Sequence, residues 1–232
     1  MLATIINFLA IIIGSVVGIT LKKFIKEDVT KSVLKAIGIV VFIISVLGVV
    51  KHTVTIDENI IKTNYELLLI ITIALGTFIG EYLDIDKYVN RFGKYVETKF
   101  NKSKISEAFI DSTLIFCVGA MAIVGSISAG LGDSSIIYMK SALDGVTSII
   151  LASTLGIGVL FSAFVVLFYQ GFLTLLSIWL GNFLPIDFIN GFSAVGYVLV
   201  ACLSLNFITE KKIKVANMIP SLLLVIIYFI IF

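Results

Sequence analysis

The sequence predicts an all-α membrane protein with about eight transmembrane helices and one amphipathic helix at the membrane surface. Three observations carry that expectation. Of 232 residues, 59% are hydrophobic and 14% charged, against roughly 45–50% and about 25% in soluble domains. The apolar residues gather in runs of about 20, the length a helix needs to cross a hydrocarbon core in which no backbone group can go unpaired. The basic residues gather between those runs.

In chain order the runs are 2–21, 33–50, 66–83, 108–131, 136–155, 156–180, 191–208 and 215–232, forming one polytopic domain over 1–232. The first has no basic stretch ahead of it and is followed by Lys22 and Lys23, so it reads as a retained span rather than a cleaved signal. The fifth holds Lys140 and Asp144 and meets the sixth with no polar break. Either it crosses, or it and the fourth both dip in and return. Lys22, Lys23, Lys26, Lys31 and Lys35 follow span one. Lys87, Arg91, Lys94, Lys99, Lys102 and Lys104 follow span three, and Lys211, Lys212 and Lys214 precede span eight. Eight crossings put these fourteen of the seventeen Lys and Arg residues on one side, which the positive-inside rule makes cytoplasmic. Both termini then face outward.

Residues 84–106 differ in kind. Ile85, Tyr88, Val89, Phe92, Tyr95, Val96 and Phe100 recur at spacings of three and four, with Lys87, Arg91, Lys94 and Lys99 between them. That pattern predicts an amphipathic helix in the cytoplasmic interface, its lysines reaching anionic head groups. A regulatory or docking role is the alternative to a plain anchor.

Two echoes hint at an inverted repeat, a habit of transporters. Ala36-Ile37-Gly38 in span two echoes Ala194-Val195-Gly196 in span seven, and Ile13-Gly14-Ser15 in span one echoes Val124-Gly125-Ser126 in span four. The two pairs imply different offsets, so at least one is chance.

Chemistry at membrane depth points to one region. Asp144 sits about eight residues, roughly 12 Å, into span five, with Lys140 one turn before it. A charge there is costly and reads either as a binding carboxylate facing a polar cavity or as a structural ion pair. The hydroxyls of Ser134, Ser135, Ser141, Thr147, Ser148, Ser153 and Thr154 could line a wet path or bond between helices. Span four carries Gly119, Gly125, Ser126, Gly130 and Gly132. Such a run permits a broken helix that shows backbone dipoles to a solute, or close packing. The GxxxG spacings Gly14–Gly18 and Gly76–Gly80 read first as helix or dimer contacts. In span six, Gln170 beside Tyr169 needs partners.

Several classes are disfavoured. A net charge of +2 argues against nucleic acid. His52 is the sole histidine, which excludes a His-based metal site or a Ser-His triad, and no phosphate-cradling loop occurs. Cys117 and Cys202 have no ligand spacing. Gly130-Leu131-Gly132-Asp133 matches the GxGD string of intramembrane aspartyl proteases. Asp133 falls in an outer loop, however, without a second aspartate at its depth. No enzyme activity, cofactor or metal is expected.

The string Phe116-Cys117-Val118-Gly119-Ala120-Met121 is followed by Gly125-Ser126-Ile127, Gly130-Leu131 and Asp133, then Lys140-Ser141 and Leu143-Asp144-Gly145. Gly158-Val159, Ser162-Ala163 and Tyr169-Gln170-Gly171 follow, with Ala216-Asn217-Met218 before Pro220. This set resembles the bacterial YdfK/YqgA-type membrane proteins, domain of unknown function 554, over essentially the whole chain. The resemblance implies a multi-pass protein of the bacterial inner membrane, described in places as a transporter, and makes 116–171 the stretch of interest.

The expectation is therefore a secondary transporter or permease for a small polar or ionic solute, its site in spans four to six. Asp144, Lys140, Gln170, Ser126, Gly125, Gly119 and Tyr169 are the expected substrate-binding residues. The alternative is a non-transporting assembly or sensor subunit whose polar residues are structural. The lipid bilayer, a small solute and a second copy of the chain are the expected partners.

Overall fold

The long helices of the computed structural model bury small and polar residues and turn large apolar ones outward. The structure describes residues 1–22, 27–57, 60–88, 91, 104–117, 120–181, 183–209 and 213–231. In α1 (Leu2–Thr20) the buried residues include Thr4, Asn7, Gly14, Ser15 and Gly18, whereas Leu2 and Ile13 are 66% and 61% exposed. The same inversion marks α3 (Glu66–Leu83) and α7 (Gly158–Gly181), which bury Thr72, Gly76 and Gly80, and Ser162, Gln170 and Thr174. Phe78, Phe168 and Phe172 point out. Water would reject such a surface; lipid tails accept it, and helix association then depends on close packing and interhelical hydrogen bonds.

The other helices are α2 (Glu27–Thr53), α4 (Lys104–Cys117), α5 (Ala120–Gly130), α6 (Ser135–Leu155), α8 (Ile186–Ile208) and α9 (Pro220–Ile231). A short 3-10 turn, Val215–Met218, leads into α9. Two strands, β1 (Val54–Asp57) and β2 (Ile60–Thr63), form an antiparallel hairpin with Val54 opposite Thr63. Among the described residues, six helices are long and apolar enough to cross a membrane: α1, the Lys35–Thr53 part of α2, α3, α6, α7 and α8. Ala108–Cys117 and Met121–Gly130 add one further length bent by 58°, and Val215–Ile231 is apolar but shorter.

The sequence expectation needs correcting in detail. Span four is not one helix over 108–131. It is described as two helices, one ending at Cys117 and the next starting at Ala120, with 118–119 outside the described residues and Gly125 and Gly130 within the second helix. Spans five and six are two helices, divided near the expected 155/156 boundary. Gly156, at φ 89 and ψ −154, takes a backbone conformation essentially confined to glycine and turns the chain between α6 and α7. The hairpin was not foreseen. Of the amphipathic segment 84–106, Ile85 to Tyr88 is helical and the Arg91 guanidinium lies 5.9 Å from the Tyr88 ring centroid. Most of the remainder, 89–90 and 92–103, lies outside the described residues.

By internal packing the chain forms two units, Met1–Ile37 with Tyr88–Trp179 and Gly38–Lys87 with Leu180–Phe232. In the first, α1 runs parallel to α6: Ala10 meets Gly145, Gly14 meets Gly145 and Ser148, and Gly18 meets Ile149. The Gly14–Gly18 motif is thus spent inside the chain, because a side chain at either position would strike the α6 backbone. α7 runs antiparallel to α1, with Gly171 near Met1 and the Phe164 ring 5.2 Å from Phe8. α5 lies parallel to α7 through Ser126–Thr174 and Gly130–Ser177, and antiparallel to α6 through Gly125 on Ile136. Ile11, Ala108, Phe116, Ala152, Val159, Ala163 and Val166 form the apolar core.

In the second unit, Gly38 meets Phe207 and Gly48 meets the Tyr197 ring, so α2 and α8 are antiparallel. The second GxxxG motif works as the first does: Gly76 meets Ser221 and Gly80 meets Asn217, antiparallel. At one end Lys214 Nζ lies 3.6 Å from Glu81 and 3.8 Å from Asp84. At the other, Tyr65 meets Asp187.

Candidate functional site

Four polar side chains from three helices meet in the interior of the first unit. Lys140 and Asp144 lie one turn apart on α6, where helix geometry stacks side chains over one another, and Nζ donates to Asp144 Oδ2 at 2.5 Å. Both are nearly sealed, at 5% and 7% exposure. The glycine seam between α1 and α6 brings Asn7 close enough for its Nδ2 to donate to the same Oδ2 at 3.0 Å. The second Nδ2 hydrogen goes to Gln170 Oε1 on α7, also at 3.0 Å. Asn7 and Gln170 are wholly buried.

The amide orientations follow from the charge. A carboxylate only accepts, so Asn7 must turn its nitrogen toward Asp144, and Gln170 must then turn its oxygen toward Asn7. The order is Gln170 accepting from Asn7, which donates to Asp144, which also accepts from Lys140. That leaves one acceptor, Asn7 Oδ1, and one donor group, Gln170 Nε2, without a hydrogen-bond partner among the described residues. The hydroxyls expected to line a wet path are mostly spoken for. Ser141, Ser148, Ser153 and Thr154 each donate to a carbonyl three or four residues back in α6.

The family model DUF554, described as a protein of unknown function, matches residues 2–230. The chain belongs to the DUF554 family. It is 32% identical over 225 residues to the Uncharacterized membrane protein YdfK of Bacillus subtilis (strain 168), covering 97% of this chain and 93% of the relative. It is 30% identical over 227 residues to the Uncharacterized protein YqgA of Escherichia coli (strain K12), covering 94% and 92%. No solved structure matches the chain.

In this DUF554 member the residues expected from sequence divide. Asp144 and Lys140 form the expected pair, and Gln170 joins them through Asn7. Ser126 is buried and back-bonded to Ala122, while its carbonyl accepts from Thr174. Gly125 packs on Ile136 and Ile137. Both are interhelical packing positions. Tyr169 is half-buried, one residue round the helix from Gln170. Gly119 lies outside the described residues. Asp133 accepts from the Ser135 N–H at 2.9 Å, at the start of α6.

Asn7 is the residue the sequence reading missed. Its signal was present: it is the single amide within an otherwise apolar first span. The cluster therefore draws on spans one, five and six. Its groups are a fixed ion pair and two amides, suited to holding a polar solute by hydrogen bonds and charge.

Proposed function

We propose that this chain is a permease for a small polar or ionic solute, working at Asn7, Lys140, Asp144 and Gln170, and not an enzyme. The observation that carries the reading is the pair of unmet groups, Asn7 Oδ1 and Gln170 Nε2, beside a buried ion pair. An unsatisfied buried polar group costs about 1–3 kcal/mol. A solute bearing both a donor and an acceptor would supply both missing bonds. An intramembrane charge of this kind commonly marks a solute or ion pathway.

The same reading has eight crossings of a bacterial inner membrane with both termini outside. Helix directions support it. Counting the bent pair as one span, every pairing described within each unit runs parallel between odd-odd or even-even spans and antiparallel between odd and even. Lys214 beside Asp84 supports a shared face for the two basic segments. One echo pair, in α1 and α5, falls within a single unit and runs in opposed directions, in keeping with an inverted repeat. Both GxxxG motifs are engaged within the chain, leaving any homo-oligomer to other surfaces.

A second reading, an assembly or sensor subunit with structural polar groups, is favoured by the closure of the site, at 0–7% exposure. A thermal-stability screen of small polar solutes against purified wild type and Asp144→Asn separates the two. A permease gains stability with a particular solute and loses that gain in the variant. A structural cluster shows no solute-specific gain.

A further inference from the structure

The end of the second unit opposite Lys214 holds a cleft of about 740 Å³, remote in sequence from the Asp144 cluster and sharing no residue with it. It is lined by the last turn of α2, the hairpin, the starts of α3 and α8, and the end of α9. Its polar groups form a chain. His52 Nδ1 lies 3.1 Å from Asn190 Oδ1. Asn190 also bonds the Tyr65 phenol, and the Tyr65 hydroxyl donates to Asp187 Oδ1 at 2.7 Å. Burial, then the Asp187 carboxylate, push that phenol up to about 12, so it keeps its proton at neutral pH.

Tyr65 holds φ 68 and ψ 14, a left-handed conformation that a bulky residue keeps only where its surroundings impose it. Its ring lies beside Phe229, with centroids 6.4 Å apart. The Asp187 carboxylate is exposed and has Tyr65 as its one hydrogen-bond partner among the described residues. Glu66 lines the same cleft, and Lys51 is the one Lys or Arg there. Carboxylates beside aromatic faces are the chemistry that recognises an ammonium group: oxygens accept its N–H bonds, and ring faces attract its charge.

We infer that this cleft binds a primary ammonium group, held by Asp187 and Glu66 against the rings of Tyr65 and Phe229. The ammonium belongs to a free small solute or to the head group of a phosphatidylethanolamine lipid. This binding stands independently of the role given to Asp144.

The test titrates the full chain, in nanodiscs of phosphatidylglycerol, with ethanolamine by calorimetry, with acetate as control. The expected result is saturable ethanolamine binding and none with acetate. Affinity should fall about tenfold or more in Asp187→Asn and in Glu66→Gln, since a hydrogen bond to a charged group is worth at least that factor. It should not change in Glu81→Gln, at the opposite end of the same unit beside Lys214. Adding phosphatidylethanolamine to the disc separates the sources: apparent affinity falls if the head group fills the cleft, and holds if the free solute alone does. The inference is overturned if ethanolamine does not saturate. It is equally overturned if both carboxylate variants, eluting and melting like wild type, bind as wild type does.

Discussion

Asn7 on α1 and Asp144 on α6 share a hydrogen bond of 3.0 Å across 137 residues of sequence. It ties the first helix to the ion pair and, through the other Asn7 hydrogen, to Gln170. Asn7→Ala should therefore cost more than a cavity. It leaves Gln170 Oε1 unpaired and removes a donor from Asp144, at about 1–3 kcal/mol for each such group. Asn7→Asp should be worse, because it sets a second carboxylate against the first. Thermal unfolding in detergent checks the order, and an Asn7→Ala protein as stable as wild type would remove Asn7 from the cluster.

The Lys140–Asp144 pair makes a non-additive prediction. Breaking a buried pair from one side commonly costs about 3–5 kcal/mol, because the other charge is stranded, whereas removing both charges avoids that penalty. Lys140→Ala should thus harm the protein less when Asp144→Asn is also present. A double-mutant cycle of melting temperatures measures the coupling. Strictly additive losses would mean the two side chains do not interact.

The glycine seam predicts opposite outcomes at neighbouring positions. A methyl group at Gly14 would meet Gly145 and Ser148, and one at Gly18 would meet the Ile149 carbonyl. Overpacking of this kind costs about 1–3 kcal/mol. At Gly145 the nearest atom to an added Cβ is 3.5 Å away, on Ala10, an ordinary contact. Gly14→Ala and Gly18→Ala should lower the melting temperature, and Gly145→Ala should leave it level or raise it through better helix propensity.

Topology has its own test. With the native Cys117 and Cys202 replaced by serine, cysteines at positions 58 and 102 should differ in intact cells. Glu58→Cys should react with a membrane-impermeant maleimide, and Lys102→Cys should not. Labelling of position 102 from outside would reverse the orientation.

Much of this was legible in the sequence, for a physical reason. Lipid demands long apolar helices, and length alone finds them. Asp144 stood out because a carboxylate at membrane depth is rare and has to face inward. Asn7 did not stand out, because nothing in a sequence says which helices touch. Its importance appears only when Gly14 and Gly18 bring α1 against α6. For span four the sequence offered either a break or close packing anywhere in the glycine-rich stretch from Gly119 to Asp133; Gly125 and Gly130 lie in α5 and serve close packing on α6 and α7. The hairpin escaped notice because its four-residue strands are too short to show a period.

The most direct test of the permease reading is uptake of the solute selected by the stability screen into proteoliposomes. Wild type should accumulate it, and Asp144→Asn and Gln170→Ala should lose at least tenfold of the rate while remaining folded and inserted. A solute that stabilises wild type through Asp144 but never enters the liposomes would contradict transport and leave a membrane receptor or sensor in its place.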